Sequence, residues 1–348
     1  ESNKKHLVPI SGGLDSRAIL GSLLKFTEAK NIHTDTFGTP GTLDYDIGNY
    51  IAKKTGTTHI SYPLTKHKFS LKEEIEYSKR TDHQSILFHH APVQSLLKNY
   101  DDFRVWSGFM GDPVAGSHLL KNQSSTKEQA ISKFIKKNTF VKSHNLLDVN
   151  ASEGILDFFL NLNTNEKYNY VSLDELFDFN YRQLRYIEPH VLMDGLNYKI
   201  PFLDQEWFNF MMSIPDSFRY QQNLYNKILN NLFPELFGYK TKHNLGLPLN
   251  VNKFRLKVQK GVHLLKRKSG IFIDPNINNI DFAEGIRKRR DLKEVIYQNI
   301  MDLKDRNLVD WVDVDKIWRS HMNKNANHAD ALITLASLEI HLKAGKIL

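Results

Sequence analysis

A short apolar run followed by a glycine-rich turn constrains this chain more than any other feature of its sequence. The run 7–10 precedes the six residues 11–16, which read Ser-Gly-Gly-Leu-Asp-Ser, and a second apolar stretch begins at Ala18. This order predicts a buried strand, a tight turn and a helix. Gly12 and Gly13 can take positive φ, which lets backbone N–H groups converge on an anion near the positive end of the helix dipole. The turn is therefore predicted to bind phosphate.

Asp15 is the unexpected member of this turn. Its carboxylate would repel a bare phosphate, so its presence predicts a hard cation such as Mg²⁺ between the two groups. The hydroxyls of Ser11 and Ser16 add hydrogen-bond donors. The turn lacks the lysine of G-x-x-x-x-G-K-[ST] and the spacing of G-x-G-x-x-G, which argues against both of those nucleotide-binding motifs. A plain glycine turn between a strand and a core helix is the alternative.

A strand, S-G-G-x-D-S and a helix in this order resemble the ATP pyrophosphatase loop (PP-loop) of asparagine synthetases, argininosuccinate synthetases and other adenylating enzymes. The resemblance implies that the loop holds the β,γ-pyrophosphate of ATP and that AMP is a product. The residues that it assigns to this task are Ser11, Gly12, Gly13, Asp15 and Ser16.

Strands and helices alternate through the first part of the chain. Further strand-like runs lie at 33–37, 59–62 and 103–106, and helix-like runs lie at 17–27, 44–56 and 71–98. The alternation predicts an α/β fold with a parallel twisted sheet and helices on both faces. By resemblance, this is the adenine nucleotide α-hydrolase-like fold.

Helical periodicity dominates from about residue 124 onward. It includes the runs 173–186, 207–213 and 330–343, whereas the polar run 161–169 is predicted to be a loop. We expect a synthetase-type domain at 1–250 and a helical C-terminal extension at 251–348 that packs on it.

Ligands of parallel sheets bind at the carboxyl ends of the strands. The loop at 11–16, the turn at 38–41 and the segment that begins at Ser107 are expected to meet there. In this arrangement the adenine of ATP would lie near Phe37 and Gly38.

A second motif, at 107–112, reads Ser-Gly-Phe-Met-Gly-Asp. It resembles the S-G-E-G-S-D-E segment of asparagine synthetases, which implies that Gly108 contacts the nucleotide and that Asp112 is the second ligand of the Mg²⁺. Phe109 and Pro113 stand where the family has glutamates. Because phenylalanine has no proton to exchange, the proton acceptor must come from elsewhere, or the amine is handled differently.

The segment 199–204, Lys-Ile-Pro-Phe-Leu-Asp, resembles the E-x-R-x-P-F-L-D box of the same family. The same alignment makes Glu188 a candidate base and places Lys227 at a family lysine. Lys242 matches the central lysine of the R-x-K-x-G-F-x-x-P loop and would neutralise charge on the phosphates. A structural carboxylate at Glu188 and an ordinary surface lysine at Lys242 are the alternatives.

The resemblance covers about residues 6–250 and implies an AMP-forming carbon–nitrogen ligase with ATP and Mg²⁺ as cofactors. Its substrates would be a small carboxylate, either an amino acid or a sugar uronate, and ammonia or an amine. A glutaminase needs an N-terminal Cys nucleophile, which a chain without cysteine lacks, so a glutaminase domain or subunit elsewhere, free ammonia or a substrate amine would supply nitrogen. The alternatives are a non-catalytic nucleotide-binding scaffold subunit and an RNA-modifying adenylating ligase. A simple ATP hydrolase has no positive feature in its favour.

Composition excludes several classes of protein. With 348 residues, 41% of them hydrophobic, the chain can bury a substantial core. The absence of cysteine excludes disulfides and thiolate metal sites and fits a reducing, cytoplasmic compartment. No apolar stretch reaches the ~18 residues of a transmembrane helix. The net charge of +8 suits anionic partners, but the densest basic runs, 266–268 and 287–290, are typical of solvated helix faces, and a nucleic acid partner is not expected.

Overall fold

The computed structural model describes residues 5–141, 171–268 and 278–345, and the predicted loop at 161–169 lies outside these ranges. Five parallel strands form one sheet in the order β3-β2-β1-β4-β5. The strands are β1 His6–Pro9, β2 Ile32–Gly38, β3 Thr58–Pro63, β4 Arg104–Trp106 and β5 Asn197–Lys199. The predicted α/β class with a parallel sheet is confirmed.

Helices account for most of the other described residues. In chain order they are α1 Asp15–Leu23, α2 Leu43–Thr55, α3 Leu71–Arg80, α4 Val93–Tyr100, α5 Gly111–Val114, α6 Lys127–Asn138, α7 Leu173–Phe177, α8 Glu188–Val191, α9 Gln205–Ser213, α10 Asp216–Arg219, α11 Asn223–Leu232, α12 Pro234–Gly238, α13 Lys253–Lys268, α14 Phe282–Lys288, α15 Arg290–Asp305, α16 Val314–Met322 and α17 Ala329–Ala344. Three 3₁₀ turns lie at Ala29–Asn31, Pro201–Leu203 and Tyr220–Gln222, and a π-helical segment spans Asp178–Ile187. No helix within the described ranges has both the length and the apolar character needed to cross a membrane.

The described residues divide into two compact units that interleave along the chain. The sheet unit comprises 5–67, 94–119, 195–268 and 278–280. The helical unit comprises 68–93, 120–141, 171–194 and 281–345. The predicted domain boundary at residue 250 stays a prediction.

The sheet unit is organised around β1. Its neighbours are β2, where Val8 pairs with Thr34, and β4, where Leu7 pairs with Val105. Leu7 and Val105 are buried together with Tyr100 and Phe103, as expected for a parallel strand that is covered on both faces. The chain adds β2 and β3 on one side of β1 and β4 and β5 on the other, so the carboxyl ends of β1 and β4 flank a topological switch point.

The helical unit has its own apolar clusters. Ala130 and Ile131 of α6 pack with Phe177 of α7 in one of them. Helix α17 packs against α3 and α15, and most of its residues are buried, including Leu332, Ala336 and Ile340. This explains its weak amphipathicity, since a helix that is apolar on all sides must be enclosed.

The predicted continuous helix over 71–98 is wrong. The structure ends α3 at Arg80 and begins α4 at Val93, and the intervening Asp82, His83 and Phe88 have positive φ. Pro92 immediately precedes α4, and a proline disfavours helical backbone in the residue before it. The run 173–186 is also not a uniform α-helix, because it becomes π-helical at Asp178.

Candidate functional site

The loop 11–16 lies between β1 and α1 and is held by its own hydrogen bonds. The Ser11 hydroxyl accepts from the Gly13 N–H at 3.2 Å, and the Ser16 hydroxyl accepts from the Ser11 N–H at 3.3 Å. The two hydroxyl oxygens lie 3.4 Å apart. Because α1 begins at Asp15, these groups sit at the positive end of a nine-residue helix.

The glycines of this loop are needed for space. Neither Gly12 nor Gly13 has positive φ, so the expectation that they would use it is wrong. A Cβ at Gly12 would lie 2.8 Å from the Leu43 carbonyl oxygen and 3.1 Å from the Lys242 Cβ. The loop backbone therefore contacts both the start of α2 and the segment around Lys242, which no side chain at position 12 would allow.

Asp15 and Asp112, the two predicted metal ligands, lie close enough for the charge of Asp112 to act on Asp15. A Cβ at Gly111 would lie 2.4 Å from the Asp15 Cγ, so the Asp15 carboxylate occupies the space where residue 111 would otherwise have a side chain. Gly108 also lies close to Asp15, since a Cβ added at position 108 would be 3.2 Å from the Asp15 Cβ. Asp112 itself is exposed, and its Oδ2 lies 3.3 Å from the Ser117 hydroxyl and 3.8 Å from His118 Nε2.

The two carboxylates repel each other. Burial first, and the negative charge of Asp112 second, raise the pKa of Asp15 well above its ordinary value. A divalent cation would relieve this repulsion. Within the described ranges no cluster of three or more His, Cys, Asp or Glu side chains could hold a metal by itself, but Mg²⁺ is commonly bound by one or two carboxylates together with substrate phosphates. The donor set therefore fits Mg²⁺ bound with a nucleotide.

Tyr225 of α11 is a site residue that the sequence analysis missed. Its side chain is 2% exposed, and its hydroxyl donates a 3.0 Å hydrogen bond to Asp15 Oδ1. Helix α11 is amphipathic, and Tyr225 lies on its buried face with Leu229. Nothing in the local sequence distinguishes Tyr225 from an ordinary core tyrosine.

Lys242 lies against the loop, as its predicted role requires. Its backbone N–H donates to the Gly12 carbonyl at 2.8 Å. Its Nζ forms a very short ion pair with Asp44 Oδ2, in the first turn of α2. The lysine whose backbone contacts the loop is thus paired with a carboxylate, and this ion pair is a second contact that the sequence analysis missed.

The turn after β2 also has an unexpected neighbour. Asn278 Nδ2 donates to the backbone carbonyl of Phe37 at 3.0 Å, and the backbone carbonyl of Asn278 accepts from the Thr39 N–H at 2.9 Å. Gly38 has a φ of +148°, and a Cβ there would lie 2.0 Å from Asn278 Oδ1. The predicted adenine-binding residues Phe37 and Gly38 are therefore buttressed by Asn278, about 240 positions away in sequence.

Phe109, which the resemblance aligns with a glutamate, has an apolar side chain that is 7% exposed. Its backbone N–H donates to the Ser107 hydroxyl at 3.2 Å, and the next residue, Met110, has a φ of 66° at the start of α5. This turn thus holds the buried Phe109 ring in place, and the side chain at position 109 cannot accept a proton.

The remaining predicted residues lie elsewhere. Glu188 begins α8 in the helical unit, and its side chain is half-buried. Lys227 lies on α11 with its side chain exposed, two positions after Tyr225. Their predicted roles in the reaction stay predictions.

No protein-family model matches the chain, and neither does any curated protein. Support for a function therefore comes from the residues of the site and their geometry.

Proposed function

We propose that the protein forms amide bonds by activating a carboxylate with ATP, in the manner of the PP-loop ligases that its motifs resemble. The observation that carries the proposal is the proximity of Asp15 and Asp112 at the start of α1. Lys242 contacts the same loop through its backbone, and its ammonium group pairs with Asp44. Two carboxylates, an amide-lined helix start and a lysine together suit a nucleotide bound with Mg²⁺.

In the proposed first step, a carboxylate oxygen of the substrate attacks the α-phosphorus of ATP. The bond from that phosphorus to the bridging oxygen breaks, and pyrophosphate leaves with the bonding electrons. The amides at the start of α1 and the hydroxyls of Ser11 and Ser16 would bind the departing pyrophosphate. Lys242, which Asp44 holds near the loop, would offset the negative charge that develops on it.

Asp15 and Asp112 would hold the metal. Mg²⁺, when bound there, supplies positive charge that neutralises the phosphates. The backbone at Gly111 leaves room for the Asp15 carboxylate, because a side chain at that position would displace it.

In the proposed second step, the lone pair of ammonia or an amine attacks the acyl carbon. The bond from that carbon to the AMP oxygen breaks, AMP leaves with the electrons, and the nitrogen gives its extra proton to a base. Phe109 cannot accept this proton, and Glu188 is the proposed acceptor. We propose a sugar uronate or an amino acid as the acid, a cytoplasmic location, and a glutaminase domain or subunit as one source of ammonia.

ATP–pyrophosphate exchange in Mg²⁺, measured across a panel of carboxylates that includes aspartate and sugar uronates, tests the proposal. We expect exchange that depends on one acid, and a loss of about 100-fold or more in Asp15→Asn and in Asp112→Asn. Asp101→Asn, at an exposed aspartate outside the site, is the matched control and should keep full exchange. Full exchange in both site variants would contradict the metal assignment.

A non-catalytic nucleotide-binding subunit is the second candidate, and the enclosed Phe109 in place of a glutamate favours it. That protein would bind ATP tightly without any acid-dependent exchange. An RNA-modifying ligase has less support, because the basic run 287–290 is largely neutralised. Lys288 pairs with Glu284 at 2.7 Å and Arg290 pairs with Glu294 at 2.6 Å.

A further inference from the structure

We propose that Tyr225 is a positioning residue, which fixes the Asp15 carboxylate in the orientation that receives the divalent cation. The inference rests on the proposed function, and it assigns the α11 tyrosine to the metal site through a contact of 3.0 Å between its hydroxyl and Asp15 Oδ1.

The tyrosine ring is itself held on two sides. Its centroid lies 6.2 Å from that of Phe202 in an edge-on arrangement, and 6.1 Å from that of Trp207. The side chain is 2% exposed, so the hydroxyl has little freedom to leave its acceptor. Phe202 belongs to the 3₁₀ turn Pro201–Leu203, which means that this turn supports the metal site through the tyrosine.

The Asp15 carboxylate is also confined by the backbone at Gly111. A Cβ at Gly111 would lie 2.4 Å from the Asp15 Cγ and 2.7 Å from its Oδ1, so the backbone at residue 111 limits the movement of this carboxylate. One oxygen is thus engaged by Tyr225 and the group cannot rotate freely. A hydrogen bond to an ionised carboxylate is strong, and residues that orient a metal ligand in this way typically contribute 10–100-fold to metal affinity or activity.

A purely structural role makes a different prediction. If Tyr225 only satisfied a buried carboxyl group, removal of its hydroxyl would lower thermal stability and leave the affinity for the cation unchanged. If it positions Asp15, the affinity for the cation falls even where the protein remains folded.

The test is a titration with Mn²⁺, followed by electron paramagnetic resonance, in the presence of α,β-methylene-ATP, which cannot release pyrophosphate. We expect Tyr225→Phe, which keeps the ring, to raise the Mn²⁺ concentration for half-saturation by about tenfold or more. Tyr239→Phe is the matched control, because the exposed Tyr239 hydroxyl also donates to a carboxylate, Glu235 Oε1, at 2.9 Å. That control should bind Mn²⁺ as the unchanged protein does.

The outcomes separate this inference from the function on which it rests. Equal Mn²⁺ affinity in Tyr225→Phe and the unchanged protein would overturn the positioning role while leaving the metal site intact. No Mn²⁺ binding by the unchanged protein in the presence of the nucleotide analogue would overturn the metal site and the proposed function together.

A second variant keeps the test decisive if Tyr225→Phe does not fold. Gly111→Ala would displace the Asp15 carboxylate without changing Tyr225 itself, because the added Cβ would lie 2.4 Å from the Asp15 Cγ. It should weaken Mn²⁺ binding by a similar factor, and undiminished binding would show that the orientation of Asp15 does not matter.

Discussion

Asp35 of β2 carries a carboxyl group that is enclosed within the sheet unit. It is 3% exposed, and its Oδ1 has no hydrogen-bond partner among the described residues. Burial raises the pKa of Asp35 to about 7. The pKa of Tyr198 is also raised, mainly by burial and to a smaller extent by the negative charge of Asp35. A carboxyl group in such surroundings is retained mainly in its neutral form at acidic pH.

The contribution of Asp35 to the stability of the folded protein should therefore be lost as the pH rises. The folded-state pKa lies above the ordinary value of 3.8, so the contribution is complete below about pH 4 and is lost as the pH rises to about 7. Asp35→Asn, which mimics the neutral acid, should stabilise the protein at pH 8 by up to about 4 kcal/mol and have little effect at pH 4. Urea unfolding at the two pH values measures the difference. Asp101→Asn serves as the exposed control, and a pH-independent effect of Asp35→Asn would refute the assignment.

Helix α2 approaches the sheet unusually closely at Gly48. A Cβ there would lie 2.6 Å from the Ile10 carbonyl oxygen and 2.6 Å from Thr36 Oγ1, which donates to that same carbonyl. Ile10 directly precedes the loop, so the packing of α2 on β1 and β2 also fixes where the loop begins. The close approach carries Asp44, at the start of α2, to Lys242.

Gly48→Ala should destabilise the protein by about 1–3 kcal/mol, because the added methyl group forces α2 away from β1. Gly261→Ala is the matched control: Gly261 is an exposed residue inside α13, and a Cβ there meets nothing within 4 Å. The control should stabilise by up to about 1 kcal/mol, since alanine is the better helix former. Denaturant unfolding under one set of conditions compares the two, and equal effects would show that α2 tolerates a wider separation from the sheet.

The helical unit contains several histidines whose ionisation opposes folding. Burial lowers the pKa of His89, His190 and His321 to about 4. His90 behaves differently. Burial alone would lower its pKa, but its Nε2 lies 3.0 Å from Glu74 Oε2 and its Nδ1 lies 2.8 Å from the Ala91 carbonyl, and the net effect is a raised pKa. Both ring nitrogens face acceptors, which fits a charged His90 that donates from each of them.

At the scale of the whole molecule, these groups predict unfolding by mild acid. The unfolded chain binds protons on histidine below about pH 6.5, whereas His89, His190 and His321 of the folded chain resist them until about pH 4. The contribution of these three histidines to stability is therefore complete above about pH 6.5 and is lost as the pH falls to about 4. The contribution of His90 has the opposite sign and is lost as the pH rises through its raised pKa. Calorimetric unfolding between pH 4 and pH 9 should show lower transition temperatures at both ends of the range.

His89→Gln should flatten the acid side of this profile, because it removes one group that must stay neutral in the folded state. His263→Gln, on α13 of the sheet unit, is the control. An acid side that is as steep in His89→Gln as in the unchanged protein would exclude His89 as a cause of the acid sensitivity.

The sequence by itself determined the parallel α/β class and the positions of Asp15 and Asp112 at the ends of neighbouring strands. These follow from local patterns, since each strand, turn and helix is encoded within a short window and parallel strands all end at one edge of a sheet. The sequence also pointed to Lys242 as a residue of the site, because Lys242 matches a motif lysine and not because any local pattern predicts its contact with the loop. The short strand β5, with the exposed residues Asn197 and Lys199, has no such pattern and was not predicted.

Only the tertiary structure decided how the site is supported. The hydrogen bond from Tyr225 to Asp15, the ion pair between Asp44 and Lys242 and the contact of Asn278 with the turn after β2 join residues about 200 or more positions apart. The division into two units depends in the same way on which elements pack together. Contacts over such separations leave no periodic trace in the chain, because they depend on where each element lies and not on the residues that surround it in sequence.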